Sequence, residues 1–66
     1  MQGITTSIVR RALAEMQDNL ETPLYLSEIS AVVACSPKTL SRRFQAELGS
    51  SPGRAYRHLR LTHAHQ

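Results

Sequence analysis

The chain has 66 residues, of which 41% are hydrophobic, and a formal net charge of +3. This length allows one domain, residues 1–66, and the hydrophobic content suffices for a compact core. The single cysteine excludes an internal disulfide, no run of about 18 apolar residues could span a membrane, and no signal peptide is evident, so we expect a cytoplasmic protein.

The first predicted helix covers about residues 7–20. Pro23 stops it, and Arg11 can pair with Glu15 one turn later. Its start offers the candidate caps Thr5, Thr6 and Ser7. Its apolar residues recur at helical spacing and form one stripe: Val9, Leu13, Met16 and Leu20.

A short second helix is predicted for about residues 27–34. Ser27 is the expected N-cap, and Glu28 favours the positive end of the helix dipole. Its apolar contacts come from Ile29, Val32 and Val33. Cys35 follows in the turn, where we expect it to fill a small apolar space and not to act as a nucleophile.

The third helix, residues 37–48, has the clearest boundaries. Ser36 caps it, Pro37 takes its first position, and Gly49 ends it. Leu40, Phe44 and Leu48 form its predicted inward stripe.

The fourth helix, residues 52–64, opens with the same pair of residue types, Ser51 and Pro52. Its predicted inward face carries Ala55, Tyr56 and Leu59. Leu61 points to another side, beside Arg54, Arg57 and Ala64, and should be partly exposed. No alternating strand pattern is evident, so the predicted fold class is all-α.

Two short helices joined by a turn of three to four residues have the helix-turn-helix layout, whose second helix enters the DNA major groove. If the apolar stripe of the third helix faces inward, its outward face carries Lys38, Arg42 and Gln45. Thr39 and Ala46 lie beside them, and Ser41 and Arg43 flank this face. Arginine and lysine suit guanine, and glutamine suits adenine. The candidate phosphate ligands are Ser36, Arg43, Arg54 and Arg57.

The charge distribution agrees with a polyanionic partner. Residues 37–66 carry six cationic side chains against one acid, Glu47, whereas residues 1–36 carry two arginines against four acids. A solvated basic face is the alternative interpretation. Arg43 could instead bind Glu15 or Asp18, and we expect Arg60 to pair with an acid.

Other functional classes fit less well. His58, His63 and His65 lack further ligands at metal-site spacing, so no metal or other cofactor is predicted. A small helical chain leaves little room for a catalytic pocket, so no catalytic residue is predicted. RNA is disfavoured, because its major groove is too narrow for a helix. The alternative that remains is a helical protein-interaction module without direct DNA contact.

Two stretches resemble the AraC/XylS family of bacterial transcription activators: LSEISAVVACSPKTLSRRF at 26–44 and ELGSSPGRAYRHLRL at 47–61. The resemblance covers most of the chain. Family members often have glycine where this chain has Ala34, so a positive φ there would be strained. Ala55 replaces a common aromatic residue. The most specific elements are Ser36-Pro37, Leu40, Arg42-Arg43-Phe44, Gly49, Ser51-Pro52 and Arg60-Leu61.

The resemblance implies the first helix-turn-helix subdomain of a larger DNA-binding domain, with the fourth helix as a linker. The fold would be a homeodomain-like bundle of three helices plus this linker. A second subdomain and an effector domain would lie elsewhere in the intact regulator. Its partners would be double-stranded DNA, at the nucleoid, with RNA polymerase as a further candidate. The family's base-reading positions correspond to Lys38, Thr39, Ser41 and Arg42.

Overall fold

The computed structural model describes residues 7–64, and that range forms four α-helices without a strand. The predicted all-α helix-turn-helix bundle is therefore confirmed. The predicted caps Thr5 and Thr6, and His65, lie outside the described residues. The helices are α1 (Ser7–Gln17), α2 (Leu26–Val32), α3 (Pro37–Leu48) and α4 (Pro52–Ala64).

α1 ends three residues before its predicted end, because its last carbonyl groups accept hydrogen bonds from Asn19 and not from a continued helix. The Asn19 side-chain amide donates to the Glu15 carbonyl at 2.8 Å, and its backbone N–H donates to the Met16 carbonyl at 3.1 Å. Asparagine side chains compete in this way with continued helical hydrogen bonding. Leu20 consequently lies in the following turn, where it still packs against the core.

α2 begins earlier than predicted, and Ser27 is not its cap. The N-cap is Tyr25, whose backbone N–H donates to Glu28 Oε1 at 2.7 Å. A glutamate three residues after the cap can satisfy this otherwise unpaired N–H group. Ser27 lies in the first turn of α2, and its carbonyl accepts a hydrogen bond from Ser30 Oγ.

The turn between α2 and α3 spans residues 33–36 and is closed by a pair of backbone hydrogen bonds. The Cys35 N–H donates to the Ser30 carbonyl at 3.0 Å, and the Ala34 N–H donates to the Ala31 carbonyl at 3.2 Å. This is the Schellman arrangement, which needs a left-handed residue after the helix C-cap. Ala34 supplies it with φ of +60°, so the strain anticipated at this position is present.

The core joins all four helices. α1 packs against each of the other three, and Cys35, Ala55 and Leu59 pack against the core from its edge, as predicted. Leu48 departs from the prediction, because it is 39% exposed at the last position of α3. The fully buried or nearly buried hydrophobic residues are Val9, Ala12, Met16, Ile29, Val33, Leu40, Phe44 and Tyr56.

Tyr56 anchors α4 to the segment that connects α1 and α2. Its ring is buried, its hydroxyl donates to the Asn19 carbonyl, and the same oxygen accepts from the Leu24 N–H at 2.9 Å. A buried tyrosine hydroxyl is stabilising when its donor and acceptor capacities are both used. This aromatic residue therefore holds α4 in place although Ala55 lacks a ring.

Two arginines bind backbone carbonyls and not the predicted acids. Arg11 Nη2 donates to the carbonyl of Val32, the last residue of α2, at 3.1 Å. Arg60 Nε donates to the Leu20 carbonyl at 3.1 Å. The carbonyls at a helix end lack intrahelical partners and lie at the negative end of the helix dipole, which favours a cation at Val32.

Leu61 is 52% exposed, as the sequence predicted. It lies at the side of an apolar groove of about 770 Å³ between α4 and the α1–α2 connection. Among the other residues that line this groove are Leu20, Leu24, Leu26, Pro52 and Arg57.

Replacing Phe44 by alanine should reduce the free energy of unfolding by about 3–5 kcal/mol, the usual effect of removing a fully buried aromatic side chain. Leu48→Ala on the same helix should have a much smaller effect, because Leu48 is partly solvated. Urea unfolding followed by circular dichroism measures both. Equal losses in the two variants would show that the Phe44 site is not the centre of the core.

Replacing Ala34 by glycine should raise the free energy of unfolding by about 0.5–1 kcal/mol, because glycine adopts a positive φ without the Cβ clash. The matched variant is Ala14→Gly, at an exposed position inside α1. It should lower the same free energy by about 1 kcal/mol, the usual effect of glycine in a helix interior. Destabilisation by both substitutions would contradict a strained turn.

Candidate nucleic-acid interface

The N-cap residue Ser36 fixes the start of α3 through two hydrogen bonds to Thr39. Ser36 Oγ accepts from the Thr39 N–H at 3.1 Å and donates to Thr39 Oγ1 at 3.0 Å. Pro37 occupies the first turn, where its missing N–H leaves no lost hydrogen bond. At the other end, Gly49 adopts a left-handed conformation with φ of +70°. The helix therefore has the predicted bounds, and its first turn presents the Ser36 and Thr39 hydroxyls at the surface.

The outward face of α3 carries the predicted base-reading residues. Lys38, Arg42 and Gln45 are exposed, whereas Thr39 and Ser41 are half-buried at its edges. These side chains point outward because Leu40 and Phe44 on the opposite side are fully buried. A shallow groove on this face is lined by Ser41, Arg42, Gln45 and Ala46.

This face is cationic. Within residues 7–64, the structure shows no ion pair for Lys38 or Arg42, so both charges are presented to solvent. Arg43 lies 3.9 Å from Glu47, one turn later on the same helix, and its side chain is half exposed. The Glu47 side chain is only 11% exposed, whereas Arg43 keeps half of its side chain in solvent and so remains accessible to a further anion. The alternative interpretation, in which Arg43 pairs with Glu15 or Asp18 of the first helix or its end, does not agree with this pairing.

The two predicted phosphate ligands on α4 lie apart from the groove of α3. Arg54 is exposed beside Leu13, Ser50 and His58 in one shallow depression. Arg57 is exposed along the apolar groove next to Leu61. The structure thus brings Ser41, Arg42 and Gln45 together, whereas it distributes the α4 arginines over two other surfaces.

The sequence interpretation placed Ala46 beside the outward face but gave it no role. The structure adds it to the same groove as Arg42 and Gln45. Its spacing of four residues from Arg42 is the signal that could have indicated this position, because residues four apart share one face of a helix.

Metal-binding clusters and membrane-spanning helices are absent from residues 7–64. That range contains no group of three or more histidine, cysteine or acidic side chains that could hold a metal ion. His63 Nε2 instead lies 3.7 Å from Glu21 Oε2. None of the helices described is long and apolar enough to cross a membrane.

Comparison with known proteins links the chain to a regulator. It is 39% identical, over all 66 residues, to the HTH-type transcriptional regulator GbdR, which is found in two strains of Pseudomonas aeruginosa. The chain spans 18% of the length of these curated relatives. No protein-family model and no solved structure matches the chain. Over its whole length the chain is therefore similar to part of a helix-turn-helix transcriptional regulator.

Proposed function

We propose that the chain binds double-stranded DNA as the first helix-turn-helix subdomain of a bacterial transcription regulator of the AraC/XylS type. In this proposal α3 lies in the major groove. The observation that carries it is the outward face of α3, which presents the cations Lys38 and Arg42 and the amide of Gln45 in place of acids. The similarity to GbdR supports the same function.

Base reading is assigned to five residues along this face, from Lys38 to Gln45. Arg42 projects beside the shallow groove and has the reach for a bidentate contact to guanine. Gln45 suits adenine, and Lys38 lies one turn before Arg42. Ser41 and Thr39 would add shorter hydroxyl contacts at the edges.

Phosphate contacts would orient the helix without reading sequence. Arg43 fits this role because its side chain is half exposed and its ion pair with Glu47 is long, at 3.9 Å. Ser36 would have to turn its hydroxyl hydrogen from Thr39 to a phosphate oxygen. Arg54 and Arg57 lie on α4, on two other surfaces of the bundle. They would contact phosphates outside the stretch of major groove that α3 occupies.

α4 acts as the linker helix in this proposal. Its exposed side around Leu61 would contact the second subdomain, and Tyr56 would keep the linker aligned with the first. The regulator would act at the nucleoid, with an effector domain elsewhere in its sequence and RNA polymerase as a candidate partner.

Salt dependence distinguishes DNA binding from the alternative, a protein-interaction module. The affinity of the chain for a fluorescent 20-base-pair duplex should fall steeply as salt rises, because phosphate neutralisation releases counterions. Fluorescence anisotropy at several salt concentrations measures it. Absence of binding to any duplex at low salt, with the chain folded by circular dichroism, would favour the protein-interaction module.

Arg42 and Arg43 should contribute differently to DNA binding. Arg42→Ala should reduce discrimination at one base pair by about 1–3 kcal/mol, because a bidentate contact to one base is lost. Arg43→Ala should weaken binding to all sequences and lower the salt slope by about one unit. Binding of each variant to a selected site, its single-base variants and random duplexes measures both effects.

Arg10→Ala provides the control for these two substitutions, since Arg10 is an exposed arginine on α1. It removes the same charge from a surface outside the proposed interface. If Arg42→Ala weakens binding to every duplex equally, Arg42 is a phosphate ligand and the assigned reading face is incorrect.

A further inference from the structure

The groove on the outward face of α3 contains one apolar side chain. Ser41, Arg42 and Gln45 contribute polar groups, and Ala46 contributes an exposed methyl group. In the DNA major groove, the apolar group that a base presents is the 5-methyl group of thymine. Alanine is one of the side chains that contacts this methyl group in recognition helices.

We infer that Ala46 is a specificity-determining residue that packs against the 5-methyl group of a thymine. This inference rests on the proposed function, and it adds a contact to the polar ones assigned there. The neighbouring Gln45 strengthens it, because its amide suits adenine. Gln45 and Ala46 together would make the C-terminal part of the α3 surface selective for A·T pairs.

The spacing along α3 also predicts where this thymine lies. Ala46 follows Arg42 by four residues, and a helix rises about 1.5 Å per residue, so the two are about 6 Å apart along the axis. Base pairs are stacked about 3.4 Å apart. Because α3 would follow the inclined major groove and not the DNA axis, the thymine read by Ala46 lies within about two base pairs of the guanine read by Arg42.

Replacing thymine by deoxyuridine in the DNA removes this methyl group and nothing else. The preferred duplex is first selected from random DNA with the 66-residue chain at low salt, and each thymine is then replaced in turn. At one position the substitution should weaken binding about fourfold, the value expected for one buried methyl group. Ala46→Gly should bind the thymine and deoxyuridine duplexes equally well at that position.

Ala14→Gly is the matched control, because it introduces the same helix-weakening substitution at an exposed position of α1. It should retain the fourfold preference for thymine. Ala46→Ser adds a hydroxyl group to the alanine side chain and should reduce the preference for thymine while preserving the helix. This second variant keeps the test valid if the glycine variant misfolds.

The outcomes separate this inference from the function on which it rests. A selected sequence that tolerates deoxyuridine everywhere, or a preference that survives in Ala46→Gly, overturns the role of Ala46 and leaves DNA reading by Arg42 intact. Selection that yields no preferred sequence at all overturns both.

Discussion

Leu40 and Phe44 are fully buried on one face of α3, in a core to which α1 contributes Val9, Ala12 and Met16. Once these two residues point inward, the 100° rotation per residue determines which side chains point away from the bundle. The candidate interface is therefore a consequence of core packing, because no separate interaction is needed to turn Arg42 and Gln45 outward. A substitution that let α3 rotate would move the whole set of surface residues together.

The turn between α2 and α3 determines how these two helices are oriented relative to each other. Its Schellman hydrogen bonds require a left-handed residue, and the chain meets that requirement with Ala34 at φ of +60°. Cys35, which follows, packs against the core and holds the turn from inside. Strain of about 1–2 kcal/mol is a typical value for this conformation in a residue with a Cβ atom. The surrounding packing has to exceed it for the turn to persist.

Local sequence signals predicted the bounds of α3, whereas the hydrogen bonds between residues far apart in sequence were not predicted. Ser36, Pro37 and Gly49 define the ends of α3 by chemistry that acts within a few residues. By contrast, the partners of Arg11 and Arg60 are carbonyls 21 and 40 residues away in sequence, which no periodicity reveals. Leu48 fits the inward stripe by its spacing but lies at the last turn of the helix, where the neighbouring elements no longer cover it. The outward residues of the candidate site could be predicted, whereas the Ser36–Thr39 and Arg43–Glu47 pairings came from the structure.

The charge of the chain is uneven along the sequence. α1 and α3 pack against each other, and the acids Asp18 and Glu21 are exposed in the segment that follows α1. Residues 37–66 carry six cationic side chains against Glu47 alone, and a surplus of positive charge of this kind attracts a polyanion. The core thus determines which side chains of α3 face solvent, and under the proposed function these are the side chains that would meet the DNA.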